Sequence, residues 1–342
     1  MQNFTLKILD IREETKDTIT LCFKQPALKK IKYQAGQYLT LILRINGRRY
    51  IRPYSFSSAP GIDANLEVTI KRVIDGVVSN YIHDQIKIGD LIEVMTPMGN
   101  FVIPELETHS IFLWGAGSGI TPLYSIAKYL LKEKEHTQLK LVYGNKNKDQ
   151  TIFYDGLEQL CVEHQNRFKV SHFHSQLETK ELGTNITRGR IDFLKIIREE
   201  TKETLNNSIH FICGPKELKL ALQQFLTNLN IRKECVFVED FELTKDPKNF
   251  EDIKDQEIRL QFEGREYFLG VIKGKSILEA ALEANIELPY SCQTGNCNTC
   301  KGFLKSGAMK MIGPNEERED LENGEYLLCC SYPLNQNIYI EV

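Results

Sequence analysis

Four cysteines near the end of the chain constrain its folding more than any other feature. They read Cys292-x4-Cys297-x2-Cys300, followed in a later segment by Cys329. Three thiolates in one short loop can wrap one side of a small iron–sulfur cluster, and a fourth from elsewhere closes the cage; this is the spacing of a [2Fe–2S] site. Gly295 and Gly302 suit such a loop, because glycine lets backbone N–H groups approach sulfur closely. Zinc sites instead pair C-x2-C units or mix Cys with His, and no histidine follows His210. A disulfide framework does not suit a chain of this length with nine cysteines and no secretory leader. Cys329 and Cys330 are adjacent, so in a strand their side chains would point to opposite faces and only one would reach iron.

A site that moves single electrons sets the question for the rest of the chain. Its 342 residues predict two or three domains, and 42% hydrophobic with 26% charged residues is ordinary for a globular protein. A net charge of −3 without a basic block argues against a nucleic-acid partner. Apolar runs such as Ile111–Trp114 are far too short for a membrane span. The opening MQNFTLKILDIREET lacks an apolar leader core, and a free-thiol chain of this kind is expected in the cytoplasm.

Residues 1–104 alternate short β patterns with turn residues, which predicts a barrel. Residues 105–241 alternate strand patterns (SIFLWG, LKLVYG, FKVSHF, SIHFICG, CVFVED) with helical ones, the signature of an α/β domain around a parallel sheet. Residues 242–256 are charged, contain Pro247 and are expected to be a linker. Residues 257–342 restart with strands and a helix, SILEAALEA, with Ser276 and Glu279 spaced as a capping box, before the cysteine loop.

Four further motifs carry chemistry. Residues 52–58 read RPYSFSS: Arg52 suits a pyrophosphate, Tyr54 the face of a flavin ring and Ser55 its reactive edge. Gly76-Val77-Val78-Ser79 precedes a short helix pattern and offers N–H groups to phosphate. At the end of a strand pattern, LWGAGSGITP (113–122) lets Gly115, Gly117 and Gly119 bring backbone to a dinucleotide. Cys213-Gly214-Pro215 ends another strand pattern and opens a helix, at the sheet edge where such folds bind ligands.

Together RPYS, GVVS, GAGSGITP, CGP and the cysteine loop resemble the ferredoxin–NADP reductase superfamily with a fused plant-type ferredoxin. The order is similar to the reductase component of phenylacetyl-CoA epoxidase and to related oxygenase and hydroxylase reductases. The resemblance implies an antiparallel β-barrel FAD domain, an α/β nucleotide domain and an α+β β-grasp ferredoxin domain. It implies an NAD(P)H-dependent oxidoreductase that passes electrons through FAD and the cluster to an oxygenase, hydroxylase or desaturase partner. Carried over by position, Arg52, Pro53, Tyr54 and Ser55 would bind FAD, and Gly76 to Ser79 its pyrophosphate. Gly117, Thr121 and Pro122 would face the nicotinamide side, and Cys213, Gly214 and Pro215 would line its pocket. Ser55, Thr121 and Cys213 would then be the groups nearest the chemistry. Glu239 and Phe241 match a Glu-x-Phe near the end of the nucleotide domain, with Phe241 against the flavin or serving as an anchor. The ending G-x-x-L-x-C-x-x-x-P selects Cys329 as fourth ligand, leaving Cys330 packed on the other face. Gln293 departs from the arginine of many plant ferredoxins.

After strand pattern LKLVY, Lys146 and Lys148 come before any acid, which favours NADPH over NADH; the resemblance implies Ser175 and Arg190 as further phosphate contacts. His172 and His174 are expected as half-exposed strand residues, His83 as a surface helix residue, Cys22, Cys161 and Cys235 as buried thiols, and Trp114 as core. Two other readings compete: a stand-alone reductase of diffusible acceptors, and a redox-sensing cluster protein without turnover.

Overall fold

A computed structural model describes residues 3–27, 30–105, 110–176, 185–198, 200–243, 245–314 and 318–342. The chain divides into two compact units: Met1–Tyr50 with Tyr54–Glu239, and Ile51–Pro53 with Asp240–Val342.

The first unit opens with β1 (Asn3–Thr15), β2 (Thr18–Phe23), β3 (Tyr38–Ile45), β4 (Arg48–Ser55) and β5 (Leu66–Lys71), then α1 (Val77–Gln85) and β6 (Leu91–Met95). Their order in the sheet is β4-β3-β6-β1-β2-β5. Phe56, just past β4, bridges Val68 of β5 and joins the two ends into a barrel. Alternation does the sorting: Leu6 and Ile8 are buried while Thr5 and Lys7 point out. These residues share a core with Leu21, Leu41, Val68 and Val94, and Val78 and Ile82 of α1 pack into it.

The α/β part holds β7 (Ser110–Ala116), α2 (Ile120–Glu133), β8 (Gln138–Asn145), α3 (Tyr154–Glu163), β9 (Phe168–His174), β10 (Ile186–Arg188), α4 (Phe193–Arg198), α5 (Lys202–Asn206), β11 (Ser208–Cys213), α6 (Lys216–Asn228) and β12 (Val236–Glu239). All pairings are parallel, in the order β10-β9-β8-β7-β11-β12. The strand β10 was not anticipated from sequence. Because β7 is covered on both faces, its residues form an unbroken buried run through Gly115. Ile111 and Leu113 face one core layer with Leu123, Ile126 and Leu157; Phe112 and Trp114 face the other with Ile212, Leu222 and Leu226.

The second unit holds β13 (Gln256–Phe262), β14 (Arg265–Val271), α7 (Ile277–Glu283), β15 (Lys301–Ser306), β16 (Met309–Met311), β17 (Glu325–Leu327), β18 (Ser331–Pro333) and β19 (Ile338–Glu341). The mixed sheet runs β14-β13-β19-β15-β17, with β13 and β19 parallel, and β16 pairs separately with β18. The capping box at α7 is present: Glu279 N donates to Ser276 Oγ at 3.2 Å, and Ser276 N to Glu279 Oε2 at 2.7 Å. In the segment 242–256, Phe250 and Ile253 are buried against Ile312 and Tyr332, and Lys245 Nζ reaches Glu279 at 2.9 Å; position 244 lies outside the described residues.

Several single-residue expectations are corrected. His172 and His174 are fully buried, because β9 is an interior strand covered by Tyr143 and Tyr154. His83 is half-buried, with Nε2 at 3.1 Å from Ile70 O. Cys161 is half-buried, whereas Cys22 and Cys235 are buried. Trp114 is core, as expected, and its indole Nε1 donates to His210 Nδ1 at 3.1 Å. That bond fixes the His210 tautomer, since indole only donates. Nε2–H then faces Ser208 Oγ at 2.8 Å, and Ser208 Oγ donates to Leu205 O at 2.6 Å.

Burial lowers His210 to about 3, and burial with the neighbouring His174 lowers His172 to about 4. An unfolded histidine takes its proton near pH ~6.5, so below that value the unfolded chain binds more protons and stability falls with acidity. The loss is about 1.4 kcal/mol per pH unit for each histidine. Urea midpoints measured between roughly pH 6 and 4.5 should show it, and His172→Phe should remove about half of the histidine-dependent slope.

Candidate functional site

In the α/β sheet the strand order reverses between β7 and β11: β8 to β10 lie on one side and β12 on the other. Open α/β sheets bind ligands beyond the carboxyl ends of strands at such a reversal. Register puts Gly115 opposite Cys213, and Cys213 opposite Glu239. The glycine turn and Cys213-Gly214-Pro215, far apart in sequence, therefore meet at one edge.

They meet backbone to backbone. A Cβ on Gly119 would lie 2.1 Å from Cys213 O and 2.8 Å from Gly214 N. Tyr143 OH donates to Gly117 O at 3.0 Å and Thr121 Oγ1 to Ser118 O at 3.0 Å, so the turn is held from two sides. Thr121 and Pro122 are buried in the first turn of α2. The 3-10 turn Gly117–Gly119 lies beside β5 of the barrel. The helix that follows is fastened to the barrel at the stretch after β4: Ser125 Oγ donates to Ser58 O at 2.6 Å, and Lys128 Nζ pairs with Asp63 at 2.6 Å. The end of β4 and GAGSGITP thus flank one small region, with Ser55 buried and Tyr54 half-buried.

Donors for a phosphate-bearing cofactor are present. Gly76 caps α1, Gly119 caps α2 and Pro215 caps α6, each without a side-chain hydrogen bond to the first turn. By contrast, Thr201 and Ser276 cap α5 and α7 with their hydroxyls. First-turn N–H groups of α1 and α6 fit the anionic pyrophosphates that the sequence motifs imply, whereas at α2 the Ile120 N–H is bonded to Gly117 O and Ser118 O of the preceding 3-10 turn. Val78 and Ser79 are buried within α1 and Val77 is exposed; Ser79 Oγ is engaged locally, accepting from Val73 N at 3.1 Å. Arg52 Nη1 donates to Ile51 O at 2.8 Å.

Cys213 is buried, and burial, reinforced by the Glu239 carboxylate and opposed by Lys219, pushes its thiol well above the ordinary range. The thiol is therefore neutral. Lys219, buried on α6, was missed from sequence, where the i, i+6 spacing from Cys213 gave no signal. Lys146 and Lys148 follow β8 and are exposed; Lys148 Nζ sits 4.4 Å from the centre of the Tyr154 ring. Ser175 N reaches Asn145 O at 3.0 Å, which brings Ser175 to the same edge, and Arg190 is exposed. Phe241, beyond β12, is 46% exposed.

In the second unit the thiols of Cys292, Cys297, Cys300 and Cys329 interact directly with one another. Contact with Cys297 and Cys329 pushes the Cys292 thiol down, and contact with Cys329 pushes the Cys300 thiol down. Thr294 N donates to Cys292 Sγ at 3.4 Å. Gly295 has φ +78°, and a Cβ there would meet Pro314 at 2.9 Å. Among the described residues no three Cys, His, Asp or Glu side chains converge as a single metal ion would require. A binuclear cluster asks for two thiolates per iron, and the set fits that demand. Cys329 and Cys330 lie in a turn between β17 and β18 and not in a strand. Cys330 is buried at 0% exposure with Sγ 3.3 Å from Leu327 O; it interacts with the Cys329 thiol and lies against Gly295 of the cysteine loop.

Comparison with known proteins agrees with this architecture. An oxidoreductase FAD-binding domain model matches residues 5–103, an oxidoreductase NAD-binding domain model residues 113–224, and a 2Fe-2S iron-sulfur cluster binding domain model residues 260–334. The chain belongs to the ferredoxin–NADP reductase superfamily and is an oxidoreductase with FAD-binding, NAD-binding and 2Fe-2S domains. It is 30% identical to the ferredoxin reductase component of 3-ketosteroid-9-alpha-monooxygenase from Mycobacterium tuberculosis, over 98% of this chain and 94% of that one. It is 29% identical to a component of the 1,2-phenylacetyl-CoA epoxidase of Escherichia coli, over 98% and 97%. The fold matches phthalate dioxygenase reductase with a TM-score of 0.69 at 24% identity, over 99% and 98%. No helix among the described residues is long and apolar enough to cross a membrane.

Four substitutions test this geometry. Gly119→Ala forces a methyl into backbone that cannot yield and should cost about 3 kcal/mol in the urea midpoint. Gly270→Ala, with nothing within 4 Å of the added Cβ, should be close to neutral. Cys329→Ser should abolish the visible cluster absorbance and the bound iron and sulfide, while Cys330→Ser retains both.

Proposed function

We propose that this chain takes reducing equivalents from NADPH and delivers them singly to a terminal oxygenase, hydroxylase or desaturase. When bound, FAD converts a two-electron hydride donor into a one-electron source and the [2Fe–2S] centre carries the single electrons. The observation that carries the reading is the meeting of Gly119 with Cys213 and Gly214 at the strand-order reversal, beside the barrel strand β5.

In this reading Arg52, Pro53, Tyr54 and Ser55 hold FAD, with Ser55 at the reactive edge. The first turn of α1, from Gly76 through Val77, Val78 and Ser79, grips its pyrophosphate with backbone N–H groups. Gly115, Gly117, Gly119, Thr121 and Pro122 shape the floor of the nicotinamide site, and Cys213, Gly214 and Pro215 form its wall. A neutral Cys213 thiol suits that wall, because it adds no charge where hydride moves. Phe241, matched by the Glu-x-Phe, is assigned to the flavin or to anchoring the chain after β12. Cys292, Cys297, Cys300 and Cys329 would ligate the two irons. Lys146 and Lys148, with Ser175 and Arg190, receive the 2′-phosphate of NADPH. The working division is 1–104, 105–241, a linker at 242–256, and 257–342, and the cytoplasm is the expected location. That two relatives are components of a monooxygenase and of an epoxidase supports a partner of the oxygenase class.

Anaerobic absorbance during titration with NADPH and then NADH tests the reading. Bleaching of both flavin and cluster bands, at lower concentration for NADPH, is the expected result, and Lys146→Ala with Lys148→Ala should remove that preference. No bleaching with either nucleotide would sink the reductase assignment.

A further inference from the structure

Arg318 lies outside the cysteine pattern and no motif marks it. Its guanidinium nevertheless reaches both arms of the cysteine loop. Nη1 donates to Gly295 O, between Cys292 and Cys297, and Nη2 to Asn298 Oδ1, between Cys297 and Cys300. Nε donates to Asp320 Oδ1 at 2.7 Å and Nη2 to Asp320 Oδ2 at 2.8 Å. Asn298 Nδ2 completes the ring by donating to Asp320 Oδ2 at 3.0 Å. The planar five-donor fork of arginine can satisfy such divergent acceptors at once, which a lysine cannot.

The charges in this ring are not equally screened. The Arg318 side chain is 14% exposed and that of Asp320 51%. Water weakens the field of the carboxylate more than that of the guanidinium, so the loop senses net positive charge.

We propose that Arg318 is a positioning residue for the [2Fe–2S] centre, clamping residues 295–298 and placing a fixed cation beside the cluster that raises its reduction potential. The inference rests on the cluster assignment made under Proposed function. Reduction adds one electron and makes or breaks no bond, so the reduced cluster is more negative and gains more from a nearby cation. The electron comes from the NADPH oxidation already assigned to the chain.

The test is a potentiometric titration of the full-length holoprotein, followed by visible absorbance and electron paramagnetic resonance, with iron and sulfide content measured in parallel. Arg318→Gln should lower the ratio of reduced to oxidised cluster at a fixed solution potential about tenfold, which is about 59 mV for a one-electron couple. Arg318→Lys, which keeps the charge and loses the fork, should stay near wild type in potential but release iron faster. Asp320→Asn should shift the potential upward, the direction opposite to Arg318→Gln. Full cluster content with unchanged potential in Arg318→Gln would overturn the inference. If Arg318→Gln holds no cluster, the other two variants decide, and a downward shift in Asp320→Asn would overturn it. Wild-type protein lacking iron and sulfide would instead remove the cluster assignment itself, and this inference with it.

Discussion

The missing side chain at Gly119 is the constraint on which the first unit depends. Two parallel neighbours, β7 and β11, end side by side, and the turn leaving β7 touches the backbone leaving β11. No other residue permits that approach. The contact sets where α2 begins, and α2 in turn carries Ser125 and Lys128 to the barrel stretch after β4. One helix therefore anchors the glycine turn at its start and holds the barrel along its length. Displacing its first turn would disturb both tasks together.

The two units solve their binding problems differently. In the first, the proposed reading rests on backbone: glycines and helix starts form the site, and side chains such as Tyr143 and Thr121 hold the turn. In the second, it rests on side chains. In the proposed reading four thiols supply the ligands, and the Arg318 guanidinium bonds the loop that bears three of them. The difference follows from the guests implied. A pyrophosphate is an anion that accepts hydrogen bonds, whereas iron needs soft anionic donors.

Much of this was legible in the sequence because the decisive spacings are local. C-x4-C-x2-C, G-A-G-S-G at the end of an apolar run, and Ser276 with Glu279 each specify a short stretch of backbone that folds by its own rules. What failed depended on neighbours distant in sequence. His172 and His174 read as half-exposed because alternation on β9 gives no hint that α3 covers that face. Whether Cys329 and Cys330 lie in a strand was left open by the sequence; the chain turns there, with Leu328 N bonded to Cys300 O at 2.9 Å. Lys219 and Arg318 were invisible for the same reason: each matters through a partner that only the tertiary fold supplies. The opposite-faces argument for Cys329 and Cys330 does not apply in a turn, so the choice of Cys329 rests on the match to the ferredoxin ending.

Trp114 is the only tryptophan in the chain, and it lies fully buried with its indole bonded to His210. The protein therefore carries a single indole fluorophore, fixed in one layer of the nucleotide domain and stacked near Phe112. Its emission reports on that layer and on nothing in the cluster-bearing unit's own sequence. Loss of order in the α/β core becomes separable, by light alone, from events in the rest of the molecule.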